Sequence, residues 1–252
     1  IRVNACIFEE DLDSFGVPSW DLIHPENYPE SQHGAFFKKF PIAPIMPTRG
    51  CPYQCTFCAG KLVSGEKLRK RSISGVIDEI RMLYADFGIR EFHIVDDNFT
   101  LDKAYAKEFS RQLIDQGLDI SWAVPNGIRL DSLDEELLIL MRQSGLYLVS
   151  VGVESGSERI LKLMKKNLDL NKIKEKVKLI REAGLEVAGF FILGFPGETR
   201  EDILNTIRLS LELDLIRANF FTYLPFPGTE SYNELSANSG LSNVDWDRFC
   251  FM

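Results

Sequence analysis

From about residue 40 onward the chain repeats one unit: a short apolar run, a few polar residues, and an amphipathic stretch that ends at glycine. The apolar runs fall at 42–48, 91–95, 120–124, 147–153, 186–193 and 217–224, and they are rich in Val, Ile and Phe. Runs with so little polar interruption suit strands buried on both faces of a parallel sheet. Between them, apolar residues recur at helical steps. Val76, Ile77, Ile80, Leu83, Tyr84 and Phe87 lead to Gly88, and Tyr105, Phe109 and Leu113 lead to Gly117. Leu137, Leu138 and Met141 precede Gly145, and Ile173, Val177 and Ile180 precede Gly184. A last stripe, Ile203, Ile207 and Leu211, is opened by Thr199 with Asp202 three residues on, a pattern close to a capping box. Strand then helix, six times over, predicts a parallel α/β architecture with right-handed crossovers. The period fits an open sheet and a partial barrel equally well. In both, ligands gather at the C-terminal ends of the strands.

The first 40 residues lack this rhythm. Glu9, Glu10, Asp11 and Asp13 make an acidic start, and Pro18, Trp20, Pro25, Tyr28 and Pro29 follow without period. Residues 1–40 are read as an extended linker ahead of a core at 41–252. Trp20 and Tyr28 are expected to pack on that core or on a neighbour, because exposed rings gain nothing. The chain starts at Ile1 with no leader, so its natural start is expected upstream, and its end is expected to be truncated. A net charge of −8 argues against a broad nucleic-acid footprint. The one dense basic segment, Lys67-Leu68-Arg69-Lys70-Arg71, is read as a solvated loop leading into a helix. No apolar run approaches the ~20 residues that cross a bilayer.

Three of the five cysteines, Cys51, Cys55 and Cys58, crowd into eight residues, while Cys6 and Cys250 lie near opposite ends. That is a poor disulfide framework and fits a reducing compartment, the cytoplasm, with a metal or redox role for the cluster. Cys6 and Cys250 read as small buried hydrophobes or free thiols. The loop Cys51-Pro52-Tyr53-Gln54-Cys55-Thr56-Phe57-Cys58 directly follows the first strand. Its spacing lets three thiolates curl around one inorganic core, and thiolates favour iron–sulfur clusters or zinc. Three ligands on a core of four irons leave one iron open to chelate a substrate. A structural zinc, or a ferredoxin-like carrier, needs a fourth protein ligand. His24, His33 and His93 show no ligand spacing with the loop, although a fourth ligand can arrive through folding.

Cys-x-x-x-Cys-x-x-Cys with an aromatic residue before the last cysteine resembles the signature of the radical S-adenosylmethionine superfamily. The resemblance extends over residues 40–230 and implies a partial (β/α)6 TIM-like barrel with a 4Fe–4S cluster on Cys51, Cys55 and Cys58. It further implies that S-adenosylmethionine binds the open iron through its amino and carboxylate groups. One electron then breaks the sulfonium bond, giving methionine and a 5′-deoxyadenosyl radical that abstracts hydrogen. The protein's share is positioning, redox tuning and exclusion of water and oxygen. An external reductant such as flavodoxin or ferredoxin is implied as a partner.

The resemblance also assigns roles to the strand ends. Asp96-Asp97-Asn98 stands where relatives hold the methionine amino group, though it departs from their glycine-rich motif; a helix-capping turn explains these residues as well. Glu154, in Gly152-Val153-Glu154-Ser155-Gly156, matches an acid that binds the ribose. A carboxylate ending an apolar strand needs a partner in any case. Lys166 matches a basic position that pairs with the methionine carboxylate, whereas a lysine on a helix is ordinarily solvated. The segment Ile192-Leu193-Gly194-Phe195-Pro196-Gly197-Glu198-Thr199 is similar to the adenine motif, with Ile192 on the ring and Gly194 allowing close approach. Tyr223 and Leu224 fall where backbone atoms bond adenine, and Phe57 can stack on it. Arg129 reads as a solvated arginine, with a substrate anchor as the alternative.

The stretch from Glu10 to Leu22 is similar to the linker that follows a cobalamin-binding domain in one branch of the family. That implies cobalamin-dependent methylation of an unactivated centre on a small-molecule or peptide substrate, with cobalamin bound outside these residues. A methylthiotransferase-like enzyme acting on RNA, and a non-enzymatic zinc or cluster module, stand as alternatives.

Overall fold

The computed structural model describes residues 7–30, 35–239 and 241. Its strands in chain order are β1 (Ile42–Ile45), β2 (Thr48–Arg49), β3 (Arg69–Lys70), β4 (Glu91–Ile94), β5 (Ser121–Ile128), β6 (Leu146–Glu154), β7 (Glu186–Leu193) and β8 (Arg217–Thr222). The helices are α1 (Trp20–Ile23), α2 (Gly60–Ser64), α3 (Ile73–Asp86), α4 (Lys103–Asp115), α5 (Glu135–Gln143), α6 (Glu158–Leu163), α7 (Leu170–Glu182), α8 (Arg200–Glu212) and α9 (Glu230–Ser239). Six strands form one sheet in the order β1-β4-β5-β6-β7-β8, parallel at every pairing. Sheet order equals chain order, and α3, α4, α5, α7 and α8 fill the crossovers. The sheet is a partial TIM-like barrel whose two end strands, β1 and β8, line one cavity of 860 Å³.

The near-continuous apolar runs serve two faces. Phe92 and Ile94 of β4, Trp122 and Val124 of β5 and Val149, Val151 and Val153 of β6 pack outward into the helix layer. Phe92 and Trp122 stack at 5.7 Å, with Phe109 of α4 edge-on to both. His93, Phe190, Arg217 and Asn219 face the cavity instead. The Glu91 carboxylate, fully buried, receives the backbone N–H groups of Lys38 and Lys39 at 2.7 Å, the Tyr147 hydroxyl at 2.7 Å and His93 Nε2 at 2.9 Å. One buried acid thus ties residues 38–39 to the N-terminal end of the barrel. Among the described residues no helix is long and apolar enough to cross a membrane.

The linker lies against the barrel and folds into short turns on the way. Leu12–Phe15 and Pro25–Asn27 are 3-10 turns on either side of α1. Trp20 is 5% exposed and its Nε1 donates to Glu79 Oε1 of α3 at 2.9 Å, while Arg71 pairs with the other oxygen. Tyr28 behaves differently: it is 59% exposed and borders the cavity. The basic segment at 67–71 is not a solvated loop. It contains β3, which pairs antiparallel with β2, and Arg69 is buried with Nη1 donating to Glu9 O at 2.9 Å. Lys67 likewise pairs with Glu10 in the acidic start of the linker, while Arg71 turns to Glu79 of α3. Cys6, Cys250 and His33 lie outside the described residues.

Candidate active site

The cysteine loop hangs from the C-terminal end of β2, beside the end of β4. Gly50 closes the approach: its φ is +96°, and an added Cβ would sit 2.2 Å from Lys67 O, so only glycine fits. Two of the three polar residues after β4 hold this root. Asp96 Oδ2 accepts from Thr48 N at 2.9 Å and Thr48 Oγ1 at 2.7 Å, and Asp97 Oδ2 accepts from Gly50 N at 2.9 Å. They do not cap the next helix, whose N-cap is Asp102. Burial pushes the Asp96 carboxyl well above the ordinary range, with Thr48 opposing, and its Oδ1 has no partner. Asn98 is buried with Nδ2 unpartnered. Asp97 is the exposed member, and a Cβ at Gly60 would meet both Cys58 Sγ at 3.3 Å and Asp97 Oδ1 at 3.6 Å.

The donor set of this loop fits an iron–sulfur cluster. Cys51 and Cys55 are half-buried and Cys58 is exposed. N–H donors already point at two sulfurs, Gly60 N at Cys58 Sγ (3.3 Å) and Arg129 Nη1 at Cys55 Sγ (3.8 Å), an arrangement that suits thiolates. Burial pushes the Cys51 thiol up against the opposing Tyr53 backbone N–H, and the negative charges of Cys58, Cys55 and Asp97 push the same way. A cationic inorganic core relieves that repulsion. Among the described residues no three His, Cys, Asp or Glu side chains converge as a single metal ion requires.

Glu154 ends β6 with φ +66°, and Lys165 and Asn167 also have positive φ. Non-glycine residues in this region carry strain that surrounding structure must hold in place. Lys166 is neither helical nor solvated: it is 6% exposed, between α6 and α7, and its Nζ donates to Glu154 Oε1 at 2.7 Å. Gly152 makes room for the pair, since a Cβ there would meet Glu154 Oε1 at 2.4 Å and Lys166 Nζ at 2.7 Å. The loop beyond is bolted to α8. Gly156 N donates to Thr206 Oγ1 at 2.9 Å, and Ser157 Oγ to Asp202 Oδ1 at 2.6 Å, while Thr199 and Asp202 form the capping box expected there. A Cβ on Gly156 would lie 2.3 Å from Asn205 O, on backbone that cannot yield. Gly156→Ala is expected to cost about 1–3 kcal/mol, as overpacking of a fixed contact does. The urea midpoint reads it, and an unmoved midpoint would mean that α8 is not seated on this loop.

Phe57, Ile192 and Tyr223, distant in sequence, meet in one apolar cluster over Ile160, Met164 and Phe195. Phe195 lies edge-on to Tyr223 at 5.2 Å. Gly194 (φ +81°) and Leu224 lie outside that cluster; Gly194 N donates to Glu198 Oε2 at 2.5 Å, which closes the turn after β7. Three residues that sequence reasoning did not single out fasten the cysteine loop here. Thr56 N donates to Met164 O at 3.1 Å, and Ser231 N and Oγ both donate to Thr56 O, at 3.0 and 2.9 Å. No periodic signal marks such bonds. Arg129 is the plain correction: it is 6% exposed, not solvated, and stands against the cysteine loop.

A cysteine loop at the mouth of a partial parallel barrel, with a buried acid–lysine pair and an apolar cluster at neighbouring strand ends, defines a cluster-bearing α/β enzyme. The chain belongs to the radical SAM superfamily, whose family model matches residues 45–210. The family uses a 4Fe–4S cluster and S-adenosylmethionine. An uncharacterised methyltransferase of Pyrococcus horikoshii is 34% identical over 240 residues, 95% of this chain and 50% of that protein. Cytidylyl-2-hydroxyethylphosphonate methyltransferase of Streptomyces wedmorensis is 38% identical over 233 residues, 89% of this chain and 43% of that protein. The radical S-adenosylmethionine methyltransferase TsrM of Kitasatospora setae, solved with cobalamin and a 4Fe–4S cluster, superposes with a TM-score of 0.71 at 25% identity, over 78% of this chain and 37% of that one. The chain spans about half the length of the curated relatives it matches.

Proposed function

We propose that this chain is the radical-generating core of a cobalamin-dependent methyltransferase that acts on an unactivated centre of a small-molecule or peptide substrate. The supporting observation is the meeting of three features at one barrel end: the cysteine loop, the Glu154–Lys166 pair and the Phe57–Ile192–Tyr223 cluster. In this reading Cys51, Cys55 and Cys58 hold the cluster, which when bound supplies the electron that opens the sulfonium of S-adenosylmethionine. Glu154 accepts the ribose hydroxyls on the oxygen that Lys166 leaves to it. Lys166 keeps that carboxylate oriented and puts a positive charge beside the methionine carboxylate. Phe57, Ile192, Gly194, Tyr223 and Leu224 form the adenine side and keep water out. Asp97, exposed beside Cys58, accepts the methionine ammonium, with Asp96 and Asn98 fixing the strand end behind it. Cobalamin is held by a part of the protein outside this chain, and flavodoxin or ferredoxin delivers electrons in the cytoplasm.

The whole protein, reduced and given S-adenosylmethionine and cobalamin, should form both 5′-deoxyadenosine and S-adenosylhomocysteine. The chain alone should release 5′-deoxyadenosine slowly and bind cobalamin weakly or not at all. Cobalamin bound by the whole protein without S-adenosylhomocysteine would discard methyl transfer. A whole protein without affinity for cobalamin would leave only the superfamily.

A further inference from the structure

We propose that Arg129 sets the reduction potential of the cluster by holding a fixed positive charge against the Cys55 sulfur. The proposal rests on reading Cys51, Cys55 and Cys58 as the cluster's ligands. The guanidinium follows β5 and is gripped from four sides. Nε and Nη2 donate to the two oxygens of Asp131, each at 3.0 Å, and Nη2 also donates to Lys166 O at 2.6 Å. Its carbon stands 3.7 Å from the centroid of the Tyr53 ring, inside the cysteine loop, and Nη1 reaches Cys55 Sγ at 3.8 Å. These contacts occupy the fork, so the side chain is not offered to a substrate, and the anchor reading lapses.

Arginine suits this place because it keeps its charge when buried and binds through a flat, rigid fork. N–H bonds to cluster sulfurs and nearby net charge are two of the levers that set an iron–sulfur potential. An added electron is stabilised by a nearby cation, the more so where little water screens it. The same guanidinium bridges the cysteine loop to the backbone of Lys166, whose ammonium holds Glu154. Asp131, one-fifth exposed, is the counter-charge that moderates the effect.

The geometry predicts shifts of opposite sign. In anaerobic redox titrations of the reconstituted chain, followed by the electron paramagnetic resonance of the reduced cluster, Arg129→Gln should leave about tenfold less cluster reduced at a fixed potential, ~59 mV lower for one electron. Asp131→Asn should raise the potential. Arg129→Lys, which keeps the charge but loses the fork, should fall between Arg129→Gln and the unaltered chain. A purely structural arginine would alter iron content and leave the potential of the loaded fraction unmoved, and that result overturns the proposal. If Arg129→Gln loads no iron, Arg129→Lys and Asp131→Asn carry the test, and unmoved potentials in both overturn it equally. Four irons retained in Cys55→Ala would instead remove the ligand reading on which the proposal stands.

Discussion

Anaerobic reconstitution of this chain with iron and sulfide should load about four irons and four sulfides, the content of a cubane held by cysteines. Cys51→Ala, Cys55→Ala and Cys58→Ala should each abolish the load, whereas Cys6→Ala and Cys250→Ala should leave it intact. The size of the loss follows from how the loop is built. An outer partner of a metal ligand is already worth about 10–100-fold in affinity, so removal of a ligand itself costs more. The loop cannot shift to supply another thiolate. Thr56, between two of the cysteines, is fastened to Met164 on one side and to Ser231 on the other. Iron and acid-labile sulfide analysis reads the result. Full loading of the Cys55→Ala protein would break the ligand assignment.

The second large effect concerns the Glu154–Lys166 pair. Both side chains are nearly excluded from solvent, and the pair is closed at 2.7 Å. Lys166→Met leaves a carboxylate without its cation in a site that does not hydrate it. Breaking a buried pair in this way costs about 3–5 kcal/mol, against a typical domain stability of about 5–15 kcal/mol. The double variant Glu154→Gln/Lys166→Met carries no stranded charge and should recover most of that loss. Chemical denaturation of the chain compares the two, and a single variant no less stable than the double would show that the pair is not electrostatically closed. Calorimetry adds a functional reading: Glu154→Ala should weaken S-adenosylmethionine binding by about 1–3 kcal/mol, the scale of hydrogen bonds to a charged acceptor.

The sheet strands were most legible where the run is nearly unbroken and apolar, as in β6 and β7, and the expected 186–193 matches β7 at both ends. β8 instead carries Arg217, Asn219 and Thr222 and leaves Phe220, Phe221 and Thr222 exposed. Departures occur where non-local contacts decide. The third run was expected to stop at residue 124. β5 instead continues to Ile128 through a register shift against β6, and Asn126 Nδ2 donates to Val95 O at 2.9 Å. The first run was expected to reach residue 48, yet Thr48 pairs with Lys70 in a separate hairpin, a partner no local pattern announces. The site divides in the same way. Cysteine spacing and the order of motifs after the strands are written in the sequence, as is the Thr199–Asp202 capping box. The burial of Arg129 and Lys166 is not, since a long cationic side chain is buried or solvated according to partners brought in by folding. Arg129 did carry a local sign in Asp131 two residues on, the carboxylate that takes its fork.

The gap between β1 and β8 has a mechanical consequence. Around the rest of the barrel, neighbouring strands are laced by backbone hydrogen bonds, so their spacing is fixed by the ladder itself. Across the gap, among the described residues, no ladder joins the two end strands. Side chains line the gap instead: Ile42 and Pro44 from β1, Asn219 and Phe221 from β8, and Ile23 and Tyr28 from the linker. The flexible side chains there can shift without breaking a ladder bond, at about 0.5–1.5 kcal/mol for each one pushed roughly 30° off its rotamer well. The flank between β1 and β8 is therefore held more softly than the strands that the ladder laces together.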